Sequence, residues 1–195
     1  MMNGYRRWWF LTVPLLAALG CSDPVPRPAQ GNMTVSITQA SGSASCPVPG
    51  KTYQVGNPKP PNVTSNPPTV GDRLIDGEHG AAIKCSVHGN GPYTFSGSIK
   101  ALSSESDKVA LTITNGVINA DKTTGTATIA FSAPQLANTF TSAEGGCTIT
   151  VISQNVKPGS IWASAACPTI TEPSTAKVCA VGATTNFVLE NCDGS

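Results

Sequence analysis

Charged side chains are scarce in this sequence of 195 residues, of which only 12% are Asp, Glu, Lys or Arg. The 12 basic and 11 acidic residues nearly cancel, and no segment concentrates Lys and Arg. Binding to nucleic acid or to an anionic membrane surface needs such clusters. Neither nucleic acid nor a charged lipid surface is therefore expected as a partner of the chain.

Long apolar segments are also missing, apart from a single run near the start. Trp8 to Leu19 is apolar over 12 residues and contains Pro14, whereas a helix needs about 20 residues to cross a bilayer. The run follows the basic pair Arg6 and Arg7. A basic segment followed by a short apolar core is typical of a cleavable export signal rather than a permanent membrane span.

The junction after this run carries a more specific motif. Ala18, Leu19 and Gly20 lead directly into Cys21, a pattern that resembles the lipobox of bacterial lipoproteins over about the first 24 residues. The resemblance implies that residues 1–20 are a signal peptide cleaved before Cys21. It also implies a diacylglyceryl group on the Cys21 sulfur, an acylated amino terminus and attachment to a membrane through lipid.

Two alternatives stay open for the leader. One is an ordinary secretory signal cut nearby, which leaves Cys21 as a plain thiol, and the other is a twin-arginine signal read from Arg6 and Arg7. Under the lipobox interpretation the protein belongs to the bacterial cell envelope, with its domain in the periplasm or at the cell surface. Ser22 is compatible with the outer rather than the inner membrane.

Cysteine parity agrees with the lipobox. Seven cysteines are present, and assigning Cys21 to lipid leaves an even six, which fits three disulfides in an oxidising compartment. These six are Cys46, Cys85, Cys147, Cys167, Cys179 and Cys192. None forms a CxxC pair, so a structural zinc site is not expected.

Sequence alone does not decide which cysteines pair. We expect one disulfide from Cys46 to Cys85, a second from Cys167 to Cys179 and a third from Cys147 to Cys192. The main alternative joins Cys147 to Cys167 across a hairpin and Cys179 to Cys192.

The remaining chain alternates apolar and polar residues, which predicts β-strands with one face towards the core and one face exposed to solvent. The residues expected to share an inward face are Val35 and Ile37; Ile83, Cys85 and Val87; Tyr93, Phe95, Gly97, Ile99 and Ala101; Val109, Leu111 and Ile113; Ala127, Ile129 and Phe131; and Cys147, Ile149 and Val151. Two further strands are expected over residues 160–167 and 185–192. Asn115-Gly116 is interpreted as a bulge within one strand, because Asp121 to Gly125 makes a better turn.

These strands predict an all-β fold, an antiparallel β-sandwich with Greek-key or jelly-roll connections, stapled by disulfides and built from about eight or nine strands. Residues 21–32 are expected to form a lipidated, Pro-rich tether, and residues 33–195 a single domain. Seven prolines in residues 47–80 predict a surface excursion there with little regular structure.

That excursion contains the densest polar cluster of the sequence. Asp72, Asp76 and Glu78 offer carboxylate oxygens that suit calcium, but their spacing matches no calcium loop, so no metal site is predicted and the three remain a weak calcium candidate. No cofactor is expected.

Catalytic motifs are likewise lacking: the sequence has no GxSxG, HExxH, P-loop or strand-linked GxGxxG. Only His79 and His88 can supply a histidine base, and both are interpreted as exposed loop residues. The chain is therefore expected not to be an enzyme.

Aromatic residues make up 6% of the chain, and a row of exposed rings for sugar binding is not expected. Trp162 and most of the others are assigned to the core. The sequence predicts a membrane-anchored envelope lipoprotein with a non-catalytic structural or binding domain, whose partner is an envelope protein or a glycan. The alternatives are an exported hydrolase, which needs His79 or His88 beside acids in one pocket, and a calcium-dependent adhesion or carbohydrate-binding module.

Overall fold

A computed structural model describes residues 25–56, 73–101 and 108–194. Within these ranges the chain forms eleven strands and a single 3-10 turn, Glu78–Gly80. The strands are β1 Gln30–Gln39, β2 Thr52–Val55, β3 Leu74–Ile75, β4 Ala81–Gly89, β5 Tyr93–Ala101, β6 Val109–Ile118, β7 Thr124–Ser132, β8 Phe140–Thr141, β9 Cys147–Lys157, β10 Ser160–Glu172 and β11 Lys177–Glu190.

All strand pairs are antiparallel and belong to one sheet. The order is β2-β1-β11-β10-β8-β7-β6-β5-β4, with β9 beside β10 and β7, and β3 beside β1. The sheet folds over on itself, because β1 and β2 at one end also contact β5 near the other end. This arrangement confirms the predicted all-β, disulfide-stapled sandwich.

The strand count differs from the predicted eight or nine for a simple reason. The three strands β2, β3 and β8 have four, two and two residues. Such short segments carry too little alternation to be recognised. The eight longer strands overlap the predicted segments. The last two differ in extent, because β10 continues past the predicted end at residue 167 to Glu172, and β11 runs from Lys177 to Glu190 instead of over residues 185–192.

The core lies between the two halves of the folded sheet, and the predicted inward faces line it. Ile83, Val87, Leu111 and Ile129 are among its buried side chains. Large rings from different strands meet there, as Phe95 and Phe187 do with centroids 6.2 Å apart. Burial of one face of every long strand is what drives the chain into this fold.

The predicted bulge in β6 is confirmed. The register with β7 shifts between Thr114 and Val117, and Asn115 has a φ of 52°. A Cβ at Gly116 would lie 2.4 Å from a ring carbon of Phe95, so only glycine fits beside that ring. The turn predicted at Asp121 to Gly125 exists but lies slightly earlier, at residues 119–123, since β6 ends at Ile118 and β7 begins at Thr124.

The three disulfides are Cys46–Cys179, Cys85–Cys192 and Cys147–Cys167. They consume all six cysteines as predicted. The preferred pairing of Cys46 with Cys85, Cys167 with Cys179 and Cys147 with Cys192 is wrong. The alternative was right only for Cys147–Cys167, and its Cys179–Cys192 pair is wrong as well.

The topology explains the pairing. Cys147 and Cys167 lie opposite each other where β9 meets β10. Because β11 lies between β1 and β10, Cys179 comes close to the segment that follows β1. Cys192 comes close to β4, where the chain end runs beside Ser86. The three disulfides indicate an extracellular or otherwise oxidising compartment.

The predicted segment boundaries need two corrections. β1 begins at Gln30 rather than Met33, and Asn32, assigned to the tether, is buried. The excursion at residues 47–80 contains β2, β3 and the 3-10 turn, while its residues 57–72 lie outside the described ranges. The signal peptide at residues 1–20 and Cys21 also lie outside them. No helix among the described residues is long and apolar enough to cross a membrane.

A buried carboxylate organises the turn between β10 and β11. Glu172 is 3% exposed and accepts hydrogen bonds from the backbone N–H groups of Ser174 and Thr175 at 2.9 and 2.8 Å. The hydroxyls of both residues donate to it as well. These donors lower the pKa of Glu172 to about 2 from its ordinary value of 4.5, since they favour the ionised form.

This turn gives a prediction about acid stability. Since its folded-state pKa is depressed, ionised Glu172 stabilises the fold above pH 4.5, and that contribution disappears as the pH falls towards 2. Glu172→Gln should therefore melt below wild type at neutral pH, and the gap should close progressively as the pH falls through this window. Thermal melts of both proteins across the pH range measure it, and a gap independent of pH would contradict the assignment.

Candidate binding cleft

A cleft of about 450 Å³ runs along the edge of β2, near where the two ends of the folded sheet meet. Its first wall is the continuous run of residues 52–56. The apolar part of the remaining lining comes from Leu74 of β3, Ala81 of β4, Ala101 of β5 and Val109 of β6. Ligand pockets in proteins commonly measure about 300–1,000 Å³, so the cleft has the size of a binding site.

The position of β2 follows from its pattern and its register. Tyr53 and Val55 are buried, while Thr52 and Gln54 are exposed. Tyr53 lies opposite Val35 of β1 in the ladder. This four-residue strand therefore turns one apolar face to the core and one polar face to solvent.

Tyr53 anchors this wall. Its ring lies 5.2 Å from that of Phe131 at an angle of 54°, a tilted arrangement that aromatic pairs favour. The hydroxyl is buried and has no hydrogen-bond partner among the described residues. Burial raises the pKa of Tyr53, so this side chain remains neutral at physiological pH.

The outer edge of β2 has no neighbouring strand in the described part of the chain, because β2 ends the strand order and pairs only with β1. The Ile37 N–H donates to the Lys51 carbonyl at 2.8 Å, so the backbone of Lys51 bonds to β1. Every second residue then faces β1, so the backbone groups of Thr52 and Gln54 face away from it.

The edge at the other end of the sheet is covered by the chain itself. Along β4, the Val87 N–H donates to the Asp193 carbonyl at 2.9 Å, and the Asp193 N–H donates to the Cys85 carbonyl at 3.1 Å. The Gly159 N–H donates to the Val87 carbonyl at 3.0 Å. A covered edge no longer templates pairing with another chain. The described part of the chain therefore protects β4 and leaves the outer edge of β2 without a neighbouring strand.

The described lining of the cleft lacks acidic side chains and basic ones other than histidine. Among the described residues that line it there is no Asp, Glu, Lys or Arg, and His79 at its mouth is exposed. Pro134 and Gln135 complete the lining. The arrangement can hold an uncharged ligand, and it brings no carboxylate to His79.

The two histidines lie in different places. His79 belongs to the 3-10 turn and His88 to β4, where it is half-buried rather than in the loop predicted for it. His88 borders a shallow depression with Thr94, Asn115 and Val117 instead of the cleft. The structure therefore does not bring His79 and His88 to one pocket.

The weak calcium candidates are only partly covered by the described ranges. The Asp76 carboxylate accepts a hydrogen bond from the N–H of Ile83 in β4 at 2.7 Å. Asp76 therefore has a structural partner. Glu78 is exposed in the 3-10 turn, and Asp72 lies outside the described residues. Within the ranges that the structure covers, no three His, Cys, Asp or Glu side chains are placed to hold a metal ion.

Trp162 is buried, but it is not part of the main core as predicted. Its neighbours Ile161 and Ala163 point into the core, so the indole covers the outer face of the sheet. There its Nε1–H donates to Glu190 Oε1 at 2.7 Å. Arg73 Nε lies 2.7 Å from Glu190 Oε2, and the guanidinium lies 5.4 Å from the centroid of the indole.

This cluster of Arg73, Trp162 and Glu190 fastens the segment before β3 to β10 and β11. The aromatic residues beyond residue 24 are all buried: Tyr53, Tyr93, Phe95, Phe131, Phe140, Trp162 and Phe187. A row of exposed rings that could stack on sugars is therefore not present among them.

Sequence reasoning missed the cleft. The alternation in β2 covers only four residues, and the walls come from segments far apart in the chain. No protein-family model, curated protein or solved structure matches this chain.

Proposed function

We propose that this chain is a lipid-anchored protein of the bacterial cell envelope, whose β domain works by binding rather than by catalysis. The observation that carries the proposal is the use of cysteine. All six cysteines after Cys21 are paired in disulfides, so Cys21 has no partner left among them. A cysteine at this position of a lipobox-like motif is the acceptor of a diacylglyceryl group.

The disulfides and the leader of the chain support the same proposal. Three disulfides require export to an oxidising compartment, and the basic pair with the short apolar run at the start is suited to that export. Once exported, the domain has neither a basic patch nor an amphipathic helix among its described residues to hold it at a membrane. Lipid on Cys21 supplies the attachment, and two or three acyl chains make it effectively permanent.

A binding role is supported by the character of the cleft. Its size suits a ligand, its described lining holds no Asp, Glu, Lys or Arg, and the His79 imidazole has no carboxylate beside it there. Hydrolysis commonly relies on an acid and a base that converge on the substrate. The cleft instead offers shape, apolar surface and backbone groups. The membrane is thus one partner, and an envelope component held in the cleft is the other. We place the protein at the outer membrane, because a serine directly after the lipidated cysteine, here Ser22, is compatible with sorting of the lipoprotein to that membrane.

The anchor is tested by replacing Cys21 with alanine. Cells that express wild type or Cys21→Ala are labelled with a traceable fatty acid and fractionated. Wild type should carry label and remain with membranes, whereas the variant should carry none and leave the membrane fraction.

The control is Ser22→Ala, which leaves the acceptor sulfur in place and should label like wild type. Equal label on wild type and Cys21→Ala would overturn the anchor, as would an unlabelled wild-type protein.

A further inference from the structure

We infer that the open edge of β2 is a docking site for an extended, uncharged peptide segment of a partner protein, which adds to the sheet as a further strand. This inference rests on the binding role proposed above and names the class of ligand. It does not depend on the lipid anchor.

The shape of the cleft points to the edge of the strand rather than to either face. Successive residues of a strand direct their side chains to opposite faces. The cleft nevertheless touches every residue from Thr52 to Gly56. Only a groove along the edge can do so, and such a groove has the course of an added strand.

The backbone supplies the recognition. Thr52 and Gln54 each direct an N–H and a C=O away from β1, which gives two donors and two acceptors in alternation. An extended peptide presents the complementary set at the same spacing. At about 3.4 Å per residue, the four residues of β2 match a partner segment of about four residues.

The walls determine the side chains that the partner can carry. Leu74, Ala81 and Val109 contribute apolar groups to the lining, and the described lining contains no Asp, Glu, Lys or Arg. A charged side chain placed there would lose water without gaining a partner. The bound segment therefore has small or medium apolar side chains on its inward face.

The contrast between the two sheet edges supports a role for this opening. The edge of β4 is covered by Asp193 and Gly159 and fixed by the Cys85–Cys192 disulfide. Exposed strand edges invite association, so folded proteins usually block them. Among the described residues, the chain covers the edge of β4 but places no strand against the outer edge of β2, which borders the cleft.

The test uses the mature, membrane-extracted protein purified in detergent micelles and a capped, fluorescent hexapeptide of alternating threonine and valine. Fluorescence anisotropy should show saturable binding. The same peptide N-methylated at every amide, and one with lysine in place of valine, should each bind at least about tenfold more weakly, which corresponds to about 1.4 kcal/mol. Equal binding of all three peptides, or no binding of the first, overturns the inference.

Gln54→Pro is the matched variant. Its missing N–H points away from β1, so pairing with β1 survives, and edge strands tolerate proline. Gln54→Thr keeps the N–H and is the control. With both variants melting near wild type, the proline variant should bind at least about tenfold more weakly than the threonine variant. Equal affinity of the two variants overturns the inference.

Hydrogen exchange examines the free edge directly. In the unbound chain the amides of Thr52 and Gln54 should exchange rapidly, while those of Tyr53 and Val55 are protected by β1. Addition of the peptide should then slow the exchange of the Thr52 and Gln54 amides. Protection of Thr52 and Gln54 without peptide, or dimerisation of the chain through this edge, overturns the inference. Repeating the titration with Cys21→Ala separates it from the anchor, because loss of lipid should leave peptide affinity unchanged.

Discussion

Replacing both Cys85 and Cys192 with serine should lower the free energy of unfolding by about 4–5 kcal/mol. The two cysteines are 107 residues apart, and a crosslink that closes a loop of about 100 residues removes that much conformational entropy from the unfolded chain. The same crosslink holds the chain end against β4, where Asp193 pairs with Cys85 and Val87. Small domains are stable by only about 5–15 kcal/mol, so this variant should be close to unfolding at physiological temperature.

The control is the double serine variant of Cys147 and Cys167. These residues are 20 apart and lie on strands that are already paired, so the expected loss is only about 3 kcal/mol. Urea denaturation of the two variants and wild type measures the difference. An equal loss, or a larger one for the Cys147–Cys167 variant, would contradict this account of the two crosslinks.

Replacing Phe131 with alanine should cost about 3–5 kcal/mol of stability. Its ring is completely buried in β7 and packs against Tyr53. The substitution leaves a cavity beneath the wall of the cleft, so Tyr53 loses its contact and peptide affinity should fall as well. Denaturant unfolding and the anisotropy titration measure the two effects.

Phe131→Leu is the matched control, because leucine fills most of the space and should cost less than about 1.5 kcal/mol. A loss below about 1 kcal/mol for the alanine variant would contradict the place assigned to Phe131 in the core.

The sequence predicted those parts of the fold that depend on local pattern. Alternation of apolar and polar residues predicts the positions of most of the long strands, and the better turn that follows Asn115-Gly116 predicts the bulge there. The disulfide pairs could not be predicted in this way. They depend on which strands become neighbours, and β11 lies between β1 and β10 only through contacts between distant parts of the chain.

The cleft illustrates the same limit. Tyr53 and Val55 alternate with polar residues for only four positions, and nothing local reveals that Ala81, Ala101 and Val109 come to face them. Trp162 is buried as expected, but it lies outside the main core cluster. It follows Ile161 within a stretch of four buried residues, where alternation no longer distinguishes the two faces.

Mass spectrometry of the amino-terminal peptide from the mature, membrane-extracted protein tests the central claim most directly. The account predicts that residues 1–20 are missing, that the peptide begins at Cys21, and that this residue carries the mass of a diacylglyceryl group, with an additional acyl chain on its amine. A mature protein that begins elsewhere, or that begins at an unmodified Cys21, would contradict the proposed anchor.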